Sequence, residues 1–290
     1  MPHKVLLSAS KFDKALLKEA SINYRLSIQL SLDGFSFCIL DTWQNKYSAI
    51  EVYTFQDIST PLALNNVLND LIAKSEWLSL PFQETRIIFE YPKSTIIPLP
   101  LFDENHSADY LRFNHYVDFG EKIRFDRLPN LDAVNIFAVP EIILHTMQKF
   151  FPGAKLHHFT SPLIENLIIL NKNQDDDFVI FAHVRKSWFD LLVLSGKKLI
   201  FINSFKYKAK EDFVYFLIYV MDQLNLNPEK TSLTLVGDIS KISSLYELTF
   251  KYVRNVNFGK RTQDYDFSYV FDEFPEHFFF NLLNLQRCEL

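Results

Sequence analysis

Apolar and polar positions alternate over residues 24–40, on either side of Asp33-Gly34. Alternation sets successive side chains on opposite faces of an extended chain. Asp-Gly between two such runs predicts a hairpin, with residues 26–32 pairing with 35–40. A third strand is predicted over 48–55. Pro61 then opens a helix to about residue 74, with Leu64, Val67, Leu68, Leu71 and Ile72 on one face. Residues 86–91 read as a short buried strand.

The middle of the chain is less regular. Residues 94–101 are apolar but carry Pro98 and Pro100, which fits an edge strand or extended loop. A helix over 103–114 and strands over 117–125 and 131–139 follow. Pro140 starts a helix that Pro152-Gly153 ends. After a strand at 155–159, Ser161 and Pro162 cap and open a helix over 163–170. Residues 171–177 are polar, and the boundary between two domains is placed there. The acidic run Asp175-Asp176-Asp177 within it reads as a solvated linker turn rather than a cation site.

Beyond the linker, strands are predicted at 178–184, 188–194 and 199–203, with Ser195-Gly196 turning the chain. A helix over 211–224 is hydrophobic almost all round, so burial on most sides is expected. A strand at 232–236, a helix at 243–251, a strand at 253–258 and a last helix at 275–285 complete the chain. The order strand, strand, strand, helix, strand thus occurs twice, from Arg25 and from Phe178. The expected organisation is a duplication. Residues 1–172 form one lobe, with an N-terminal extension over 1–23 and an insert over 94–172. Residues 173–290 form the other.

The 290 residues suffice for two such lobes, and 48% hydrophobic content allows a large core. Twenty-nine Phe against six Gly predicts an aromatic core and few backbone positions open to phosphate. A net charge of −5 gives no overall attraction to nucleic acid, so none is expected as partner. Lys206, Lys208 and Lys210 read as a solvated turn. Cys38 falls in an apolar strand pattern and Cys288 near a frayed terminus. Neither has metal-ligand spacing. The longest apolar stretch, 213–221, is short of the roughly 20 residues of a spanning helix. A soluble cytoplasmic protein without a membrane partner is expected.

The stretch Leu235-Val236-Gly237-Asp238-Ile239-Ser240-Lys241-Ile242 resembles the LVGGSSRIP loop of actin-like chaperones, which lies beside the adenosine and phosphates of the nucleotide. With the duplicated order of elements, it makes the chain similar to the actin-like ATPase superfamily, within it to the pilus-assembly and cell-division members. Residues 132–167 resemble the insert that closes the first domain of the pilus-assembly members. Residues 178–204 resemble the three-strand start of their second domain. The chain also resembles a small family placed in that superfamily, called domain of unknown function 3822. The resemblance spans most of 25–284. It implies a two-lobed α/β fold of the ribonuclease H-like kind, with mixed sheets flanked by helices.

In that superfamily two hairpins bind phosphate through an Asp-x-Gly pattern. The Asp positions Mg²⁺ through water, and the Gly lets N–H groups reach phosphate. Here the first hairpin has Gln29 and Ser31 at those positions. Asp33 in its turn would repel phosphate. The second hairpin reads Ala182-His183-Val184-Arg185-Lys186-Ser187. Ser187 lies near a phosphate-binding Thr position, and Arg185 and Lys186 could neutralise an anion or face solvent. The third loop keeps Gly237 but has Asp238 where a second Gly stands. The segment 205–211 carries lysines instead of a Gly pair. Ser31, Arg185, Lys186, Ser187, Gly237, Asp238 and Ser240 are therefore the candidate nucleotide contacts.

Elsewhere, His157 and His158 point to opposite faces of one strand and read as a surface and a core histidine. His106 and His115, with Asp103, Glu104 and Asp109, lack the i, i+4 spacing of a metal site. No catalytic residue or metal site is assigned. Some cell-division relatives end in a membrane-binding helix, but residues 274–285 carry too few cations on their polar face and are expected to pack as a core helix. The expected function is a non-catalytic binding or scaffold module with a degenerate nucleotide site and no resident cofactor. It would serve an unidentified protein partner. The alternative is an ATP-binding protein or slow ATP hydrolase using Mg²⁺.

Overall fold

The computed structural model describes residues 4–172 and 178–290. The run Asp175-Asp176-Asp177 lies outside the described residues. The chain divides into two compact units. One comprises Met1–Pro162, Gln263–Glu273 and Leu282–Leu290, the other Leu163–Thr262 and Phe274–Asn281.

The first unit is built on a mixed sheet. Strands β1 (Lys4–Phe12), β2 (Tyr24–Leu30), β3 (Gly34–Asp41) and β4 (Lys46–Gln56) precede helix α1 (Pro61–Lys74) and strand β5 (Glu84–Phe89). With β9 (Lys155–His158), the order across the sheet is β1-β4-β3-β2-β5-β9, and the short β15 (Asp266–Phe267) also pairs β4. β2 and β5 run parallel, which requires the crossover that α1 supplies. Thr60 caps α1 by accepting from the Ala63 amide, and Leu64, Val67, Leu68, Leu71 and Ile72 are its buried face, as their spacing requires. The residues before Tyr24 contain a strand that sequence reading left without structure. β1 pairs antiparallel with β4, and alternation is weak because it is exposed on both faces.

A second, three-stranded sheet holds β6 (Ser94–Pro98), β7 (Glu121–Leu128) and β8 (Ala133–Pro140) in the order β6-β8-β7, with α2 (Ser107–Asn114) on one face. β6 is an edge strand, where Pro98 at its end is tolerated, and Pro100 lies beyond it. β7 starts later than the 117–125 expected. Asp118 and Glu121 instead form a turn, the Glu121 carboxylate accepting from the Asp118 amide at 2.8 Å. Helix α3 (Glu141–Phe150) packs beside α1, and α4 (Thr160–Asn171) carries the chain onward.

The second unit has one five-stranded sheet. It contains β10 (Phe178–Val184), β11 (Trp188–Ser195), β12 (Lys198–Lys206), β13 (Ser232–Gly237) and β14 (Asn255–Phe258) in the order β12-β11-β10-β13-β14. Helices α5 (Lys210–Gln223) and α6 (Ser244–Tyr252) pack against each other. The core is aromatic, with Phe189 against Phe213 at 4.3 Å and Phe205 against Phe216 at 4.7 Å. α5 is less enclosed than expected. Tyr215 and Tyr219 stack on each other in solvent.

Three further expectations are corrected. The first hairpin closes through a bond from the Ser31 amide to the Gly34 carbonyl, so Leu32 and Asp33 form its tip rather than Asp33-Gly34. Neither Asp33 nor Gly34 has a positive φ. Gly34 is needed instead because a Cβ there would lie 2.5 Å from the Tyr53 carbonyl oxygen. The last helix, α7, is only Phe280–Asn284, because Phe279 takes a left-handed φ of 55° and breaks the 275–285 run. Cys288 is buried rather than frayed, and the Arg86 guanidinium bonds its carbonyl. Cys38 is a core residue as expected, with burial pushing its thiol pKa up.

Candidate functional site

The first hairpin places Ser31 at the end of β2. Its hydroxyl accepts from the amides of Asp33 at 3.1 Å and Gly34 at 3.0 Å. Serine favours this local arrangement because its short side chain reaches two residues ahead. Gln29 is half-buried in β2.

The second hairpin, between β10 and β11, turns its cation inward. Arg185 donates to both oxygens of Asp190, at 3.0 and 2.8 Å. Asp190 lies opposite His183 in the strand register and is fully buried. It also accepts from His183 Nδ1 at 3.1 Å and the Ser204 hydroxyl at 2.5 Å. Burial alone would raise its pKa. The charge of Arg185 and the bonds from His183 and Ser204 outweigh that and hold it at about 2. The Tyr207 hydroxyl donates to the Arg185 carbonyl at 2.6 Å, so the arginine is held at both ends. Arg185 is thus turned inward onto Asp190 rather than solvated in the turn. Lys186 is exposed and Ser187 half-exposed.

Parallel pairing of β10 with β13 brings Gly237 beside Val184. A Cβ on Gly237 would lie 2.3 Å from the Val184 oxygen, and its φ of +88° is left-handed, so only glycine fits. The Gly237 amide donates to the His277 carbonyl at 2.9 Å, that of Asp238 to the Val184 carbonyl at 2.8 Å, and that of Ile239 to the Gly237 carbonyl at 3.0 Å. His277 Nε2 donates to the Ile239 carbonyl at 2.6 Å, and its ring lies 4.4 Å from that of Phe258. Burial pushes the His277 pKa down. Asp238 is exposed, and the Ser240 hydroxyl accepts from the Ile242 amide at 3.3 Å. Six of the seven candidate residues therefore gather at one end of the second unit's sheet, and Ser31 belongs to the other unit. Lys208 and Ala209 donate their amides to Asp212, which caps α5.

Sequence reading missed Asp190, Ser204 and His277. A carboxylate inside the apolar run of β11 was a signal, since a buried charge must be paired. It also expected one of His157 and His158 at the surface, whereas both are buried. Asp126 accepts from His157 Nδ1 at 2.8 Å, the His158 amide at 2.9 Å and the Ser161 hydroxyl at 2.6 Å. Asn135 Nδ2 bonds Thr160 and Ser161 at 3.0 and 2.9 Å. Because Ser161 donates to the carboxylate rather than to a histidine, the nucleophile–base contact of acyl transfer is missing. His106 pairs with Asp103 and His115 with the Ser94 carbonyl, each at 2.9 Å. Among the described residues no three His, Cys, Asp or Glu side chains converge as a metal site, and no helix is long and apolar enough to cross a membrane.

Residues 13–256 match the family described as Protein of unknown function (DUF3822). The chain belongs to that family. No curated protein matches this DUF3822 member. Among solved structures it is similar to the crystal structure of a protein from Bacteroides thetaiotaomicron with an actin-like ATPase fold and unknown function. Identity is 26% and the TM-score 0.79, over 94% of the DUF3822 chain and 99% of the other. It is also similar to a PilM–PilN type IV pilus biogenesis complex at 12% identity and a TM-score of 0.56, over 90% and 97% of the two chains. The DUF3822 chain thus has an actin-like ATPase fold, with mixed sheets flanked by helices.

Proposed function

We propose that the chain is a non-catalytic binding or scaffold module of actin-like fold, whose nucleotide loops are filled by its own groups. The observation that carries this is the occupation of the loop donors. Ser31 takes two amides of the first hairpin, Asp190 takes Arg185, and His277 takes the Gly237 amide. A phosphate would have to displace each of these bonds, and Gln29 offers no carboxylate for Mg²⁺. In this reading 1–172 and 173–290 are the two lobes of the duplication, and the partner is a cytoplasmic protein. PilM in complex with PilN is an instance of this fold holding a protein.

The second reading, nucleotide binding or slow hydrolysis, is favoured by exposed Lys186 beside half-exposed Ser187. Calorimetric titration with Mg²⁺-ATP, with a phosphate-release assay, separates the two. No heat of binding at millimolar nucleotide and no release above buffer are expected. Saturable binding or turnover would replace the scaffold reading with the second.

A further inference from the structure

β7 is a free edge of its sheet. The Glu141 amide bonds the Gly120 carbonyl, and the Ala138 amide is taken by Lys93 on the β6 side. With Ile123 opposite Ala138, Lys122 and Arg124 bond β8, while Ile123 and Phe125 turn their N–H and C=O groups outward. Among the described residues no backbone group meets them.

The exposed charge on this strand has one sign. Lys122, Arg124 and Arg127 are exposed. Asp126 is buried, and the enclosed Glu121 carboxylate is neutralised by Lys93 at 2.9 Å. Lys122 shares Glu141 at 3.3 Å, while Arg124 and Arg127 have no ion pair among the described residues. The residues leading into β7 expose three aromatic rings. Phe113 is 89% exposed, Tyr116 81% and Phe119 fully so, and the first two line an open groove of about 500 Å³. Apolar surface of this kind marks an interaction site. The backbone carrying the rings is fixed. His115 bonds Ser94, Asp118 bonds Glu121, and Lys93 bonds Asp118 at 2.7 Å.

We propose that the β7 edge takes up an extended acidic segment of a partner protein as an added strand. The proposal rests on the binding-module reading and names the partner's chemistry. Its backbone pairs with Ile123 and Phe125, its carboxylates meet Arg124 and Arg127, and its large apolar side chains cover Phe119 and Tyr116. A second copy of this chain is a poor occupant, because two β7 strands would set like charges opposite each other. The cations that guard the edge against self-pairing select an acidic strand.

Phage-displayed random dodecapeptides selected on the full chain test this. Winners should carry Asp or Glu at positions three apart, one for each face of the added strand, among Ile, Val or Phe. Measured by fluorescence anisotropy, their affinity should fall at least about tenfold for Arg124→Glu/Arg127→Glu. N-methylation of alternate peptide amides should cause a similar loss, and this arm leaves the protein unaltered. Winners without acidic bias, or binding indifferent to both changes, would overturn the proposal, as would an empty selection. Concentration-dependent dimers lost on charge reversal would make the occupant a second copy. Phosphatidylserine vesicles retained in its place would make it a lipid surface. Either result replaces the acidic strand. The Mg²⁺-ATP titration on the same protein is independent, so a failed selection leaves the scaffold reading standing and bound ATP removes that reading without touching the edge.

Discussion

His277 holds the Gly237 loop from two directions. Its carbonyl accepts the Gly237 amide at 2.9 Å, and its ring nitrogen donates to Ile239, two residues on, at 2.6 Å. The loop most like a nucleotide-binding motif is therefore shaped by a distant segment of the same unit.

Replacing His277 with Ala removes the ring bond and the packing on Phe258 while leaving the backbone bond. A loss of about 2–3 kcal/mol is expected in urea unfolding. Amide exchange at Gly237 should accelerate, and His277→Phe should recover the packing share only.

The same residue gives a pH dependence. Burial lowers its folded pKa below the ordinary histidine value of 6.5. The unfolded chain therefore binds the proton first on acidification. Stability from this group is complete above pH 6.5 and is lost as the pH falls through the folded pKa. Against His277→Gln, the wild type should lose the excess in that window, read as the difference between their unfolding midpoints.

Two glycines answer to contacts. Gly237→Ala and Gly34→Ala bring a Cβ within 2.3 and 2.5 Å of backbone oxygens. Each should cost about 2 kcal/mol or more. Gly120→Ala meets nothing within 4 Å and should be neutral or slightly stabilising. Melting temperatures of the three check the order.

Much of this architecture was legible. α1 and the paired strands of both hairpins follow from periodicity, because each buries one clean face. β1 was not, since an edge strand exposed on both sides has no face to alternate. α7 was overestimated because Phe278, Phe279 and Phe280 look helical, while a single left-handed φ at Phe279 ends the run. The substituted hairpins could be read as departures from a pattern. What fills them could not, because the Asp190–Arg185 and His277–Gly237 contacts depend on strand register and on a distant segment.

Asp190→Ala would take the buried carboxylate from the largely enclosed Arg185, at about 3–5 kcal/mol. Because the folded pKa of Asp190 lies at about 2, below the unfolded 3.8, its contribution is full above pH 4 and lost as the pH falls toward 2. Acid unfolding of Asp190→Asn should be less steep than that of the wild type in that range, followed by circular dichroism.

The residues from Gln263 onward serve both units in alternation, with Gln263–Glu273 and Leu282–Leu290 in one and Phe274–Asn281 in the other. During translation the strands of the first unit emerge from the ribosome long before the pieces that complete it. The second unit cannot close until Phe274–Asn281 is made, nor the first until Leu282–Leu290 is. The nascent protein must wait with its largest sheet unfinished, a consequence of how this polypeptide is threaded.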